Sequence, residues 1–209
     1  RWMLSTLSSV SETGIYAVAF RLVSVLFLVS AAFGQAWSPY AIKIRADYPN
    51  EYKTIYANIF VLLIFIMLTL GGGLALYSGE IIGFILPKEY STAALPLVIL
   101  SFSIILQSTQ QVTAIGISIM KKTKLLAIIA WLSAIINFIG NYYLIPSYGS
   151  TGAAISTFLS YLFITSSYLF FTQRLYPIPI CWKKLIFLFS VSVIVAIISY
   201  FLLNTSFIW

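Results

Sequence analysis

The chain has 209 residues, of which 61% are hydrophobic and only 8% are charged, and its formal net charge is +7. A soluble domain carries about 25% charged residues, so this composition excludes an ordinary water-soluble fold and indicates a protein that lies in lipid. Histidine is absent and cysteine occurs once, which excludes an intrachain disulfide and any site that needs a histidine base or ligand.

Six apolar runs reach the length of about 20 residues that a helix needs to cross a bilayer. They lie at 14–42, 55–77, 92–119, 125–145, 152–171 and 185–203, and residues 1–10 are typical of the end of a further helix. A β-barrel would need short alternating strands, and "VLLIFIMLTL" at 61–70 does not alternate. The sequence therefore predicts an all-α polytopic membrane protein. Because the chain begins with Arg inside helix-like sequence, we expect it to be part of a longer protein.

The first run contains Arg21, the one ionisable side chain well inside a predicted span. A charge inside a bilayer is costly and usually functional, so Arg21 is a candidate for a cation that lines a water-filled cavity and meets an anion there. The alternative is a side chain that snorkels to the outer interface. Arg1 is a weaker candidate for the same cavity, because it is the terminal residue of the chain.

Small residues and one short segment predict how the helices pack and turn. "GGG" at 71–73 predicts close helix contact, whereas "EIIGFILP" at 80–87 is too short to span and is expected at the interface or at the entry of the next span. We expect Pro146 to end the fourth span and Gly149 to permit the turn. "GAA" at 152–154 then allows the fifth span to pack against the fourth as an antiparallel hairpin.

Two stripes of neutral polar side chains lie inside the apolar runs. Their members are Gln107, Gln110 and Gln111 on one predicted helix and Ser133, Asn137 and Asn141 on another. Residues three and four apart share a helix face, so we expect the three glutamines on one broad face and the second stripe to face away from lipid. Both stripes are suited either to hydrogen bonds between helices or to a glycan path, since sugars are recognised by neutral donors and acceptors.

The basic residues predict the orientation of the chain. When the loops are placed alternately on two sides, one side receives nine bases: Lys43, Arg45, Lys53, Lys121, Lys122, Lys124, Arg174, Lys183 and Lys184. The other side receives only Lys88. Positive loops remain in the cytoplasm, so the loops at 43–54, 120–124 and 173–184 are predicted to be cytoplasmic, and the turn at 146–150 and the loop at 78–91 external. The same pattern argues against nucleic acid as a partner.

The hairpin sequence resembles a known family. Asn137, Asn141 and "LIPSYGSTGAAISTFLSY" at 144–161 resemble a signature of polysaccharide flippases in the multidrug/oligosaccharidyl-lipid/polysaccharide exporter superfamily. Weaker matches, in the same order and spacing, are "TGIYAVAFRL" at 13–22, "WSPY" at 37–40 and "EIIGFILPKEYSTAALPLVIL" at 80–100. The resemblance covers nearly the whole chain, and 144–161 is its most specific part.

The resemblance implies a fold of two pseudo-symmetric six-helix lobes around a central cavity. Residues 1–176 would be the C-terminal lobe, 177–209 an additional transmembrane helix, and the N-terminal lobe would be missing from this chain. The implied function is alternating-access transfer of an undecaprenyl-pyrophosphate-linked oligosaccharide, of the O-antigen or teichoic type, to the outer leaflet of a bacterial inner membrane. Membrane lipid and a polysaccharide polymerase or assembly protein are the implied partners, with no cofactor and no metal. Relatives carry cavity cations near the position of Arg21.

Other functions remain open at this point. A drug exporter of the related multidrug and toxin extrusion branch would use carboxylates in its spans as cation couplers, whereas all five carboxylates here fall in loops or at span ends. A membrane enzyme would need positioned acids or histidines, and the longest loops are about a dozen residues. A membrane scaffold without transport would leave Arg21 unexplained unless it snorkels.

Overall fold

A computed structural model describes residues 2–192 and 194, and every regular element in this part of the chain is helical. The α-helices are α1 (Trp2–Leu7), α2 (Val10–Asp47), α3 (Tyr52–Leu76), α4 (Ser78–Ile85), α5 (Ala94–Thr113), α6 (Ile115–Ile119) and α7 (Thr123–Leu175), with a 3-10 helix at Lys88–Ala93 between α4 and α5. Four continuous helical stretches are long and apolar enough to cross a membrane. The chain is therefore an all-α polytopic membrane protein, as the sequence predicts.

Helix α7 contains two of the predicted spans. Its 53 residues would extend about 80 Å as a straight helix at 1.5 Å per residue, far beyond a bilayer core of about 30 Å. Gly149 interrupts it with φ 53° and ψ −130°, a conformation that only glycine adopts without strain. We call residues 123–148 and 150–175 the first and second arms of α7. The described residues thus contain five crossings, in agreement with the first five apolar runs.

The two arms fold back on each other as an antiparallel hairpin. The hydroxyl of Ser133 donates to the carbonyl of Ser160 (2.8 Å), and that of Tyr168 to the carbonyl of Leu126 (3.2 Å), so pairing runs the length of the hairpin. The expectation that Pro146 ends the first arm is wrong: the helix continues to Gly149. A proline removes one backbone hydrogen bond, but only a residue with positive φ reverses the chain here.

Glycines allow the closest approaches between helices. A Cβ added at Gly152 would lie 2.3 Å from the carbonyl oxygen of Leu144 on the facing arm, and one at Gly71 would lie 2.8 Å from Cδ1 of Ile105. Both positions confirm the predicted close contacts. Gly72 and Gly73 have no described atom within 4 Å of an added Cβ, so for these two the prediction of close contact is wrong.

Helix α5 lies at the centre of the bundle, in contact with α2, α3 and α7. Its buried side chains, among them Leu97, Leu100 and Ile104, belong to one continuous core with α2 and α3. The short segment predicted at 80–87 forms α4, which ends before the 3-10 helix and exposes Phe84. Because α5 touches each long helix, it fixes the relative positions of the residues discussed below.

The two ends of the bundle differ in charge, as the loop pattern predicts. At one end the amino group of Lys53 lies 5.1 Å from the centre of the Tyr176 ring, and α6 packs against the same tyrosine. At the other end Gly14 lies against Tyr90, two residues after Lys88. The loops with nine bases therefore gather at one end, and their cytoplasmic location by the positive-inside rule stays a prediction.

The last predicted span, 185–203, lies mostly outside the described residues. Residues 182–192 are helical, and Leu185 and Leu188 pack against the main core. The division of the chain at 176/177 stays a prediction.

Candidate functional site

The polar stripe of the first arm forms a hydrogen-bond relay to the second arm. The Asn141 side chain donates to Oδ1 of Asn137 (2.9 Å), and the Asn137 side chain donates to the hydroxyl of Ser160 (3.3 Å). That hydroxyl donates in turn to the carbonyl of Thr157 (2.8 Å). The stripe faces the inside of the hairpin, as predicted, and Ser133 is buried at the end of the stripe farther from Gly149. The relay leaves Oδ1 of Asn141 buried and without a hydrogen-bond partner within the described part of the chain.

The two asparagines line a pocket of about 270 Å³ between α1, α2 and the α7 hairpin. We call it the polar pocket. Trp2 and Tyr16 contribute aromatic rings from α1 and α2, and Asn137, Asn141 and Thr157 contribute polar groups from α7. The other described residues of the wall are apolar. Asn141 precedes Gly149 by eight residues, or about 12 Å along a helix. The polar pocket therefore lies in the half of the bundle that contains the hairpin turn, which the sequence predicts to be external.

Glu12 connects α2 to the turn of the α7 hairpin. Ser9 caps α2, its hydroxyl accepting from the backbone N–H of Glu12 (3.1 Å). The Glu12 carboxylate reaches the hairpin turn, where Oε2 accepts from the backbone N–H of Ser150 (2.7 Å). A carboxylate at a helix N-terminus is stabilised by unpaired N–H groups and by the helix dipole, so Glu12 both caps the second arm and joins it to α2. Sequence reasoning missed this role; the spacing Ser9-x-x-Glu12, a capping box, indicates only the start of α2.

The three glutamines lie between helices. The hydroxyl of Ser30 donates to Oε1 of Gln107 (3.3 Å), and the Gln110 side chain donates to the hydroxyl of Thr165 (3.1 Å). An added Cβ at Gly34 would meet the Gln111 amide at 2.6–2.8 Å. Gln107 and Gln111 thus face α2 whereas Gln110 faces the second arm of α7, so the broad face is divided between two neighbours. These contacts favour interhelical hydrogen bonding over a glycan path for this stripe, and a role for Gln107 or Gln111 in binding stays a prediction.

Arg21 lies apart from both amide clusters. It is exposed, on the side of α2 where Val25 and Leu28 are 61% and 66% exposed. Five residues separate it from Tyr16 of the polar pocket, which turns it by about 140° around the helix at 3.6 residues per turn. It therefore points away from the core of this bundle, toward lipid or toward chain that lies beyond these residues. Arg1, the second cationic candidate, lies outside the described residues.

A larger cavity, of about 660 Å³, lies on another side of the bundle. It runs between α3, α5, the second arm of α7 and the helix at 182–192, and the residues of its wall that the structure describes are apolar apart from Thr109. A wall of this kind suits hydrocarbon and offers sugar hydroxyls few partners among its described residues. The polar pocket is smaller but has the chemistry that a polar solute needs.

The sequence is similar to part of a curated protein. Over 152 residues, which is 72% of this chain, the sequence is 26% identical to "Probable low-salt glycan biosynthesis flippase Agl15" of Haloferax volcanii. The match covers 32% of that protein, so the chain spans about a third of its length. No family model matches the chain, and no solved structure matches it at a significant level.

The similarity agrees with the resemblance in the sequence at the level of a glycan flippase. It does not extend to the exporter superfamily or to the O-antigen type, which stay predictions. Because H. volcanii is an archaeon, the bacterial source and the bacterial inner membrane also stay predictions.

Proposed function

We propose that this chain is part of a membrane transporter that flips a lipid-linked glycan across the bilayer. The observation that carries the proposal is the similarity, over 72% of the chain, to a protein named as a glycan biosynthesis flippase. The polar pocket supports it, because it gives a lipid-embedded bundle a set of neutral hydrogen-bonding groups away from its lipid-facing surface.

The cargo has two chemically different parts that need different environments. Its sugars require neutral donors and acceptors, which Asn137 and Asn141 supply. Its phosphate or pyrophosphate link requires a cation, and Arg21 is suited to this role, since a guanidinium matches phosphate geometry. Arg21 points away from the described bundle, so the anion would be bound between this chain and a second lobe that lies beyond it.

Transport in this proposal is a movement of one lobe against another. The α7 hairpin, fastened to α2 by Glu12, would move as a rigid unit and expose the polar groups alternately to the two sides. Enzymes that assemble or polymerise the glycan are the partners that this function implies.

A cation-coupled drug exporter is the main alternative. Such a transporter would need a carboxylate free to exchange a cation within its spans. The carboxylate of Glu12, on the helix that contributes Tyr16 to the polar pocket, is held by the Ser150 N–H at 2.7 Å. This contact favours glycan transfer over cation coupling within the described residues.

The experiment is a gene deletion in the source organism, complemented with the full-length gene. We expect the deletion to lower surface glycan and to accumulate lipid-linked glycan with cytoplasmic orientation, and complementation to reverse both. Normal glycan display in the deletion strain, together with increased sensitivity to cationic drugs, would reject the flippase and favour the exporter.

A further inference from the structure

Two lysines line an open groove on the surface of the bundle, apart from the polar pocket. The groove has a volume of about 350 Å³ and lies between α3 and the start of the helix at 182–192. We call it the lysine groove. The described residues that line it are Val61 from α3 and Lys183, Lys184, Phe187 and Leu188 from the helix. Two cations thus lie beside a floor that consists of the three apolar side chains.

The local sequence explains how the cations and the floor come together. Residues three and four apart share a helix face, so Phe187 lies one turn further along the helix than Lys183 and Lys184, on the side that both lysines share. Long side chains in a helix lean back toward its N-terminus. The two lysines, in the first turn, therefore extend away from the apolar turns that follow and toward the membrane surface.

Trp182 indicates the depth of the groove in the bilayer. It is 53% exposed and directly precedes Lys183, and tryptophans of membrane proteins concentrate at the level of the lipid headgroups. On the opposite wall, Val61 lies inside the apolar run at 55–77. The lysine groove therefore extends from the headgroup region into the hydrocarbon, as a lipid molecule does.

The chain places no counter-charge in the groove. None of the described residues that line it is acidic, and no residue from 185 to 209 carries a charge. Glu51, which precedes α3, is ten positions before Val61, or about 15 Å along a helix. Two neighbouring ammonium groups repel each other, and the low dielectric constant of the adjoining lipid strengthens that repulsion. The lysine groove is therefore suited to a negatively charged ligand.

The apolar floor decides which anion fits. A free phosphate would contact the lysines and leave the floor uncovered, whereas a phospholipid places its phosphate at the lysines and its acyl chains on the floor. Basic pockets between transmembrane helices bind anionic headgroups in this way. A volume of about 350 Å³ suits the upper part of one lipid, whose remaining surface stays in contact with the bilayer.

We infer that the lysine groove is a binding site for one anionic phospholipid, whose phosphate pairs with Lys183 and Lys184 and whose acyl chains lie on the apolar floor. The inference goes beyond the proposed function and does not depend on it, because a membrane phospholipid is a component of the bilayer and not the cargo. The lipid would contact α3 and the helix at 182–192 together, and so hold that helix against the bundle.

The test measures lipid binding by the purified full-length protein. The probes are phosphatidylglycerol, which is anionic, and phosphatidylcholine, which has no net charge, offered in detergent at equal concentrations and counted on the intact protein by native mass spectrometry. We expect a preference for phosphatidylglycerol. Lys183→Gln and Lys184→Gln should each lower its affinity about fivefold, the contribution of one lysine near an anionic headgroup. Lys183→Arg should keep the preference, since it keeps the charge, and binding of phosphatidylcholine should not change.

Lys124 provides the matched control. It is an exposed lysine in the first turn of α7, and it is not among the described residues that line the groove. Lys124→Gln removes the same charge, and it should leave the affinity for phosphatidylglycerol within about twofold, because salt screens a distant exposed charge. Val61→Trp keeps both lysines and fills the floor, so it should weaken binding of phosphatidylglycerol through loss of the acyl-chain contact.

Three results would overturn the inference. Equal binding of the two lipids by the wild type would show that the groove does not select an anion. A loss in Lys124→Gln as large as that in Lys183→Gln would show a diffuse attraction in place of a site. Displacement of phosphatidylglycerol by a much lower concentration of polyprenyl phosphate would assign the groove to the transported lipid. None of these results rejects the flippase proposal, which the gene deletion tests separately.

Discussion

Replacing Gly152 with alanine tests the packing of the α7 hairpin, on which the geometry of the polar pocket depends. The added Cβ would lie 2.3 Å from the carbonyl oxygen of Leu144 and 2.6 Å from its carbonyl carbon. Both are backbone atoms, which no side-chain rotation can move away. Restoring an ordinary contact of about 3.5 Å requires the arms to separate by about 1 Å.

The expected cost follows from two opposing effects. Overpacking by one methyl group in a close contact costs about 1–3 kcal/mol. Here the upper part of that range applies, because the two atoms of Leu144 that the methyl group meets are backbone atoms. Alanine in place of glycine gains about 1 kcal/mol of helix propensity. We therefore expect Gly152→Ala to lower the free energy of unfolding by about 2 kcal/mol.

Gly72 is the matched control, because it lies in α3 with nothing within 4 Å of an added Cβ. Gly72→Ala gains helix propensity with no steric cost and should raise stability by up to about 1 kcal/mol. The assay is thermal unfolding of the full-length protein in one detergent. The two substitutions should shift the midpoint in opposite directions. An unchanged or raised midpoint for Gly152→Ala would refute the close hairpin.

Three further predictions concern the hydrogen bond between Glu12 and Ser150, the orientation of the chain in the membrane and the role of Arg21. Glu12→Ala should lower the free energy of unfolding by about 1.5–3 kcal/mol, the worth of a hydrogen bond to a charged group, whereas the same change at the exposed Glu89 should not; equal effects in thermal unfolding would contradict the cap. With the native cysteine replaced, a cysteine at Ser147 should react with an impermeant thiol reagent on intact cells and one at Thr123 should not; the reverse pattern would invert the topology. Arg21→Gln should reduce surface glycan about tenfold to a hundredfold at normal protein level if a phosphate contact worth about 1.5–3 kcal/mol is lost, and Arg21→Lys should retain part of it; wild-type display by Arg21→Gln would indicate a snorkelling side chain.

The membrane-spanning architecture follows from local sequence. Long apolar runs select helices, because a bilayer offers no partner for backbone groups, and Gly149 identifies the turn because positive φ is a local requirement. The prediction for Pro146 is wrong because a proline weakens a helix without fixing where it ends. The prediction for Gly72 and Gly73 is wrong because composition does not say which glycine of a run faces a neighbour.

The candidate site depends on contacts that a single sequence does not reveal. Glu12 and Ser150 are 138 positions apart, and nothing near either residue indicates the other. The sequence predicts that the two asparagines share one face of a helix. The polar pocket forms only because α1 and α2 pack against that face. The division of the glutamines between α2 and α7 likewise depends on how three helices are arranged around α5.

The most direct test of glycan flipping uses the purified full-length protein in liposomes that contain fluorescent lipid-linked glycan in both leaflets. An impermeant quencher reaches only the outer-leaflet pool of a protein-free liposome. We predict that the reconstituted protein exposes the inner pool as well, that it does so for the glycan-bearing lipid in preference to an ordinary phospholipid, and that Arg21→Gln slows this exposure. Quenching limited to the outer pool, with protein shown to be folded in the membrane, would contradict the assignment of this chain to a glycan flippase.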